Sequence, residues 1–184
     1  MKITAKEAER SAIYRVAEGM LAAARTAPKG KGIDNLETLI LDGDDKDALA
    51  AEMRKIHEEV EGYGPFGRDA GNLDDAELIV LIAVKNKPGG LKHCAYCGFS
   101  NCAEMAQAGA NCAFNITDLG IAVGSAAAVA MDGRIDNRVL YSAGKAAVRM
   151  GLFSESVRVA YGIPLSVTSK SIFFDRYDPV AGRK

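Results

Sequence analysis

Apolar positions recur along the chain with two different periods. From Thr4 to Thr26 they return every three or four residues. Ala8, Ala12, Val16, Gly19 and Ala23 form one face, and Ile13, Ala17, Met20 and Ala24 widen it. That spacing predicts a helix. Thr4 followed by Glu7 supplies a capping box at its start, and Pro28 ends it, because the residue before a proline avoids the helical region. Leu36 to Leu41 predicts a strand, and an aspartate in the turn Asp42-Gly43-Asp44-Asp45 is suited to cap a helix from Lys46 to Val60. Glycines and Pro65 punctuate Gly62 to Gly71 as a loop. Leu78 to Val84 is an unbroken apolar run, the mark of a central strand covered on both faces. Beyond the break at Pro88-Gly89-Gly90, Asn101 and Asn111 each predict an N-cap, which would place Cys102 and Cys112 at the first positions of two helices. The second of these should run from Cys112 to Ala130 and close at Asp132-Gly133. A helix over Leu140 to Met150 and a strand over Val157 to Tyr161 follow, with Pro164 limiting the strand. Ser171 to Phe174 reads as a short strand or a packed arm. Strands and helices alternate loosely, so the expected fold is a layered α/β or α+β domain rather than a bundle.

Length and charge narrow the setting. A chain of 184 residues fits a single domain, 1–184. Its net charge is −1, with no long basic run, so nucleic acid and an acidic membrane surface are not expected partners. Met1 to Arg10 lacks the apolar stretch of a secretory signal. The run Leu119 to Met131 is shorter than the about 20 residues a bilayer requires. A cytoplasmic protein without a membrane span is the expectation. In that compartment clustered cysteines serve as metal ligands more often than as disulfides.

The chain has four cysteines, and all four fall in one segment, 88–112, with the spacing C-x2-C-x4-C-x9-C: Cys94, Cys97, Cys102 and Cys112. Four thiolates from one stretch can enclose a single metal centre. The helix starts expected at Cys102 and Cys112 carry partial positive charge and free N–H groups, which suit an anionic centre. Gly98 lets the backbone approach closely. One [4Fe–4S] cluster held by the four thiolates, passing single electrons, is the first reading. A structural zinc ion accepts the same ligands, which would make the chain a zinc-stapled binding or scaffold module without redox activity. Cys94 and Cys97 alone could form a redox dithiol, and four buried, inert thiols are the plainest account. The spacing matches neither the bacterial nor the plant ferredoxin pattern. His93 reads as an exposed neighbour of the cysteines, and His57 as part of an exposed helix face.

Phosphate signals are weaker. The loop Ala27 to Asp34, with Lys29, Gly30 and Lys31, can hold a phosphate or serve as a solvated connector. Gly30-Lys31-Gly32 does not complete a dinucleotide fingerprint, and Gly144-Lys145 lacks the rest of a P-loop. Asp118 lies inside an apolar helix, facing either a pocket or solvent. Lys170, Arg176 and Arg183 could reach an anion, or are simply tail charges.

Several segments together resemble an uncharacterised prokaryotic family described as ferredoxin-domain-containing: Ala23 to Asn35, Cys94 to Cys102, Asp118 to Ser125, Ile163 to Ser166 and Ile172 to Arg176. The run Cys94-x2-Cys97-x4-Cys102 also looks like the start of the four-iron domain of corrinoid iron–sulfur proteins, where the fourth cysteine comes later. A looser similarity is to FMN-dependent nitroreductases. Ala27-Pro28, the strands over 36–41 and 78–84, the long helix with Leu119 to Gly124, and Tyr161 to Pro164 follow their order. That similarity implies an α+β, nitroreductase-like layered sheet with the cysteine loop as an insertion. It also implies FMN as a cofactor and a homodimer. The phosphate motif usual near the N-terminus is missing apart from Arg10-Ser11, and Lys29 replaces a serine. Arg25, Lys29 and Lys31, beside Gly30, would take over the phosphate. A flavin fed by a cluster would make an oxidoreductase, with a redox protein or a small-molecule electron acceptor as partner.

Overall fold

The computed structural model describes residues 1–62 and 64–174. Its centre is a sheet of four antiparallel strands in the order β1-β2-β4-β3: β1 (Leu36–Asp42), β2 (Leu78–Lys85), β3 (Asp136–Asn137) and β4 (Val157–Ser166). The apolar run of β2 is explained by its position between β1 and β4. Leu78, Val80, Ile82 and Val84 enter one core with Ile163 and Leu165, while Ile79 and Leu81 enter the other. Successive side chains of a strand point to opposite faces, so a strand buried on both faces must be apolar throughout.

Helices cover both faces. α1 (Ala5–Thr26) and α5 (Ala113–Asp132) pack together on the first; α2 (Gly43–Glu59), α3 (Phe66–Asp75) and α6 (Tyr141–Arg149) cover the second. α4 (Cys102–Gln107) lies in the cysteine segment. The capping box of α1 forms as the sequence predicts, with the Glu7 N–H donating to the Thr4 hydroxyl and the Thr4 N–H donating to the Glu7 carboxylate at 2.8 Å.

Several expectations need correction. α2 begins at Gly43 and not Lys46, and Asp42, at its N-cap, makes no side-chain cap. The Asp42 carboxylate accepts from the Tyr14 hydroxyl instead, docking α1 on the end of β1. The loop expected around Gly62 to Gly71 contains α3, whose Phe66, Ala70 and Leu73 are buried at helical spacing despite its glycines. His57 is not on an open face: its ring lies over Gly67, where an added Cβ would come within 2.9 Å of it, and its Nδ1 is buried with no partner among the described residues. β4 continues through Pro164 to Ser166. Gly162 exchanges both backbone hydrogen bonds with Leu140 on the outer edge. Pro164, two residues on, faces the same edge, where residues 138–139 lie between that bridge and β3, so its missing N–H breaks no ladder bond. Gly144 lets α6 lie directly on β4, since any Cβ there would overlap the Ala160 carbonyl.

α5 is longer than the apolar run Leu119 to Met131 that it contains. At 20 residues and a mean hydropathy of 1.4 it could cross a bilayer by length and composition alone. Its Leu119, Ala122, Ala126 and Ala130 are fully buried in the core shared with α1 and the sheet, the pattern of a core helix. Ser171 to Phe174 forms turns with Phe173 buried, so the packed arm is the correct alternative. Arg176 and Arg183 lie outside the described residues.

Candidate metal centre

β2 ends in a long irregular loop before α4. Its backbone turns through left-handed conformations that side chains rarely adopt: His93 has φ 59° and Ala95 φ 51°, followed by Gly98 at 84°. The Gly98 N–H closes a turn on the Ala95 carbonyl at 2.9 Å. Strain of this kind, about 1–3 kcal/mol per residue, persists only where surrounding structure holds it, and it clusters at functional sites. Among the described residues five non-glycine positions have positive φ. Three of them, Lys31, His93 and Ala95, line the two cavities described here.

The first cavity, of about 230 Å³, is lined by all four cysteines. Cys94, Cys97 and Cys102 are half-buried and Cys112 is buried; none forms a disulfide. The two ends of the cysteine run are held differently. Asn101 is the N-cap of α4, its Oδ1 accepting from the N–H groups of Ala103 and Glu104 at 3.0 Å each, which puts Cys102 at the first helical position as expected. The parallel expectation for Asn111 is overturned. Cys112 is itself the N-cap of α5, with an extended backbone and no side-chain cap bond, and Asn111 is exposed. The Cys112 N–H donates to Asn86 Oδ1 at 3.1 Å, and Asn86 Nδ2 donates to the Ala110 carbonyl at 2.9 Å. Arg158 on β4 donates to the Gly109 carbonyl of the same stretch. His93 is exposed, as expected, though it too borders the cavity.

Among the described residues no three His, Cys, Asp or Glu side chains gather closely enough to hold a single metal ion. Four thiolates around one zinc at about 2.3 Å would stand about 3.8 Å apart. The four cysteines instead line one cavity.

A second cavity, of about 200 Å³, adjoins the first; Leu91 lines both. Gly30 and Lys31 are on its wall with Lys87 and Phe114. Asp118, buried at 7 % exposure, accepts from the Gly30 N–H at 2.9 Å, and Asn115, at 4 %, accepts from the Lys87 N–H at 3.0 Å. Asp118 thus faces this cavity and not solvent. Phe114 stacks on Tyr96, with ring centroids 5.7 Å apart and planes 8° from parallel. Arg25 and Lys29 are engaged elsewhere. Arg25 pairs with Asp34. The Lys29 ammonium donates to the carbonyls of Ala24, Arg25 and Ala27 at the end of α1, at 2.7 to 3.0 Å. Burial pushes the Asp34 carboxyl up, but the Arg25 guanidinium and the Leu36 N–H outweigh it and hold it below its ordinary value. Both groups shape the turn that presents Gly30 and Lys31.

Asn86, Asn115 and Lys87 are the residues sequence reasoning missed. Asn115 and Asp118 stand three apart on a helix, beside Leu119 and Ala122 on its core face. Polar residues at such positions were the available signal. Asn86 directly follows an apolar strand, which gave no hint of its partners.

Comparison with solved structures places the fold. A putative nitroreductase in complex with FMN from Desulfovibrio desulfuricans matches 91 % of this chain and 80 % of its own, with a TM-score of 0.57 at 17 % identity. The FMN-dependent nitroreductase NfnB from Mycobacterium smegmatis, in complex with NADPH, matches 85 % and 78 % at a TM-score of 0.57 and 13 % identity. A BluB-like flavoprotein from Clostridium difficile matches 98 % and 88 % at a TM-score of 0.54. The fold is therefore α+β and nitroreductase-like. Residues 108–176 match the family described as "Uncharacterized protein containing a ferredoxin domain (DUF2148)". An uncharacterized protein of Archaeoglobus fulgidus is 37 % identical over 96 % of this chain and 98 % of its own length. The chain belongs to this ferredoxin-domain-containing family.

Proposed function

We propose that this protein carries electrons through one [4Fe–4S] cluster held by Cys94, Cys97, Cys102 and Cys112. The observation that carries the reading is that all four cysteines of the chain line one cavity. The family description, with its ferredoxin domain, supports it. When bound, the cluster supplies a one-electron carrier. The chain's part is to place the four thiolates, with Cys102 at a capped helix start and Cys112 against the sheet.

A flavin-linked oxidoreductase is the extended form of this reading, favoured by the second cavity beside the first and by FMN in the names of similarly folded proteins. Gly30 and Lys31 are on that cavity's wall; Arg25 and Lys29 support the turn from behind. The acceptor is either FMN, another small molecule or a redox protein. A homodimer is proposed through the outer face of α5, where Gly120, Ile121, Gly124 and Met131 are exposed. A cytoplasmic location accords with unpaired cysteines.

Protein purified without oxygen tests all of this. It should be brown, contain iron and acid-labile sulfide in equal amounts, and bleach with dithionite. Acid release should yield a fluorescent flavin, and sedimentation should show a dimer. Colourless protein with stoichiometric zinc overturns the cluster and leaves the scaffold reading. Iron without flavin rejects only the extended form, and a monomer rejects the dimer.

A further inference from the structure

We propose that Asn86 is the positioning residue that sets the place of the Cys112 thiolate. This rests on the cluster reading above and adds to it a residue outside the cysteine segment. Asn86 follows the last residue of β2, and its own N–H donates to the Ser156 carbonyl at 2.8 Å, which extends the register between β2 and the approach to β4. Its side-chain amide then reaches forward in both senses. Oδ1 receives the Cys112 N–H and Nδ2 donates to the Ala110 carbonyl, bracketing Asn111 between two fixed points. Asn115 returns the contact by accepting from the Lys87 N–H. One ligand is thereby tied to the most buried strand of the molecule, while Cys94 and Cys97 stand on the strained loop. Cys112 is also the most buried of the four, at 7 % exposure.

The chemistry requires an amide. The Asn amide offers a donor and an acceptor on one short side chain, without charge. Alanine leaves the Cys112 N–H and the Ala110 carbonyl without those partners. Aspartate keeps the acceptor for Cys112, loses the donor to Ala110 and adds a negative charge beside an anionic centre, which favours its oxidised state.

The test uses full-length protein loaded with iron and sulfide under anaerobic conditions. Asn86→Ala and Asn86→Asp are compared with Arg158→Ala, which removes a different tie to the same stretch, at Gly109. Iron loss to a chelator and the midpoint potential are measured, with circular dichroism of the metal-free forms to verify folding. Asn86→Ala should lose iron about 10- to 100-fold faster than wild type, the usual effect of removing a partner that orients a ligand. Asn86→Asp should hold iron more firmly than Asn86→Ala and titrate at a lower potential than wild type. Arg158→Ala should lose iron at close to the wild-type rate, well below that of Asn86→Ala. Wild-type rates and potentials in both Asn86 variants overturn the inference. So does an Arg158→Ala variant as leaky as Asn86→Ala, since Asn86 would then be an ordinary anchor of the segment. Wild type that takes up no iron overturns the cluster reading itself.

Discussion

β2 and the cysteine loop are adjacent in the chain and opposite in what holds them. β2 is paired on both sides, and every residue from Leu78 to Val84 is at most 2 % exposed. Its stability comes from apolar burial and needs no ligand. The loop from Pro88 to Asn101 has no strand or helix, and most of its residues are exposed. Turns, left-handed residues and the side chains of Asn86, Asn101 and Arg158 shape it and the cysteine segment it leads into. A core of the first kind fixes the fold; a loop of the second kind has room in it for something the chain does not supply. Stability and ligand retention should therefore separate by region.

Leu81→Ala gives the largest effect expected on stability. Its side chain is fully buried in the core between the sheet and α2, α3 and α6, so truncation should cost about 2–5 kcal/mol in denaturant unfolding. The separation fails if Cys97→Ser, which should abolish iron binding, lowers the stability of the metal-free protein by as much.

Asn101→Ala is smaller. Losing the N-cap of α4 should cost about 1 kcal/mol and loosen iron retention at Cys102. Equal retention in variant and wild type would detach that cap from the site.

The smallest effect concerns pH. Asp34 is held below its ordinary value in the folded state by Arg25 and the Leu36 N–H, against the upward push of burial. Its contribution is whole well above the unfolded value of about 3.9 and is lost as pH falls through the lower folded one. Asp34→Asn should cost about 0.2–1 kcal/mol at neutral pH, as expected of a pair this exposed. That difference should shrink in acid. A difference that grows on acidification contradicts the pairing.

The two regions also differ in how far the sequence disclosed them. Helical periodicity marked α1 and an unbroken apolar run marked β2, because burial on one helix face or on both faces of a strand writes itself into residue spacing. α3 escaped notice because two glycines interrupt a helix held by tertiary contacts of Phe66, Ala70 and Leu73. Pro164 suggested a strand end because its open edge depends on where β3 stops, a non-local fact. At the site, the cysteines were visible as a cluster and Asn101 as a cap. Asn111 resembled Asn101 in every local respect, yet Cys112 takes the cap position and its N–H goes to Asn86, 26 residues earlier. Likewise Lys29 looked like a phosphate ligand, but three carbonyls at the end of α1 lie within its reach.

Leu91 borders both hollows of the molecule, and it is 37 % open to water. It stands on the border that they share. Any pair of guests lodged on its two sides would be neighbours in the fold. Shaving that leucine to alanine would widen both rooms at their common border.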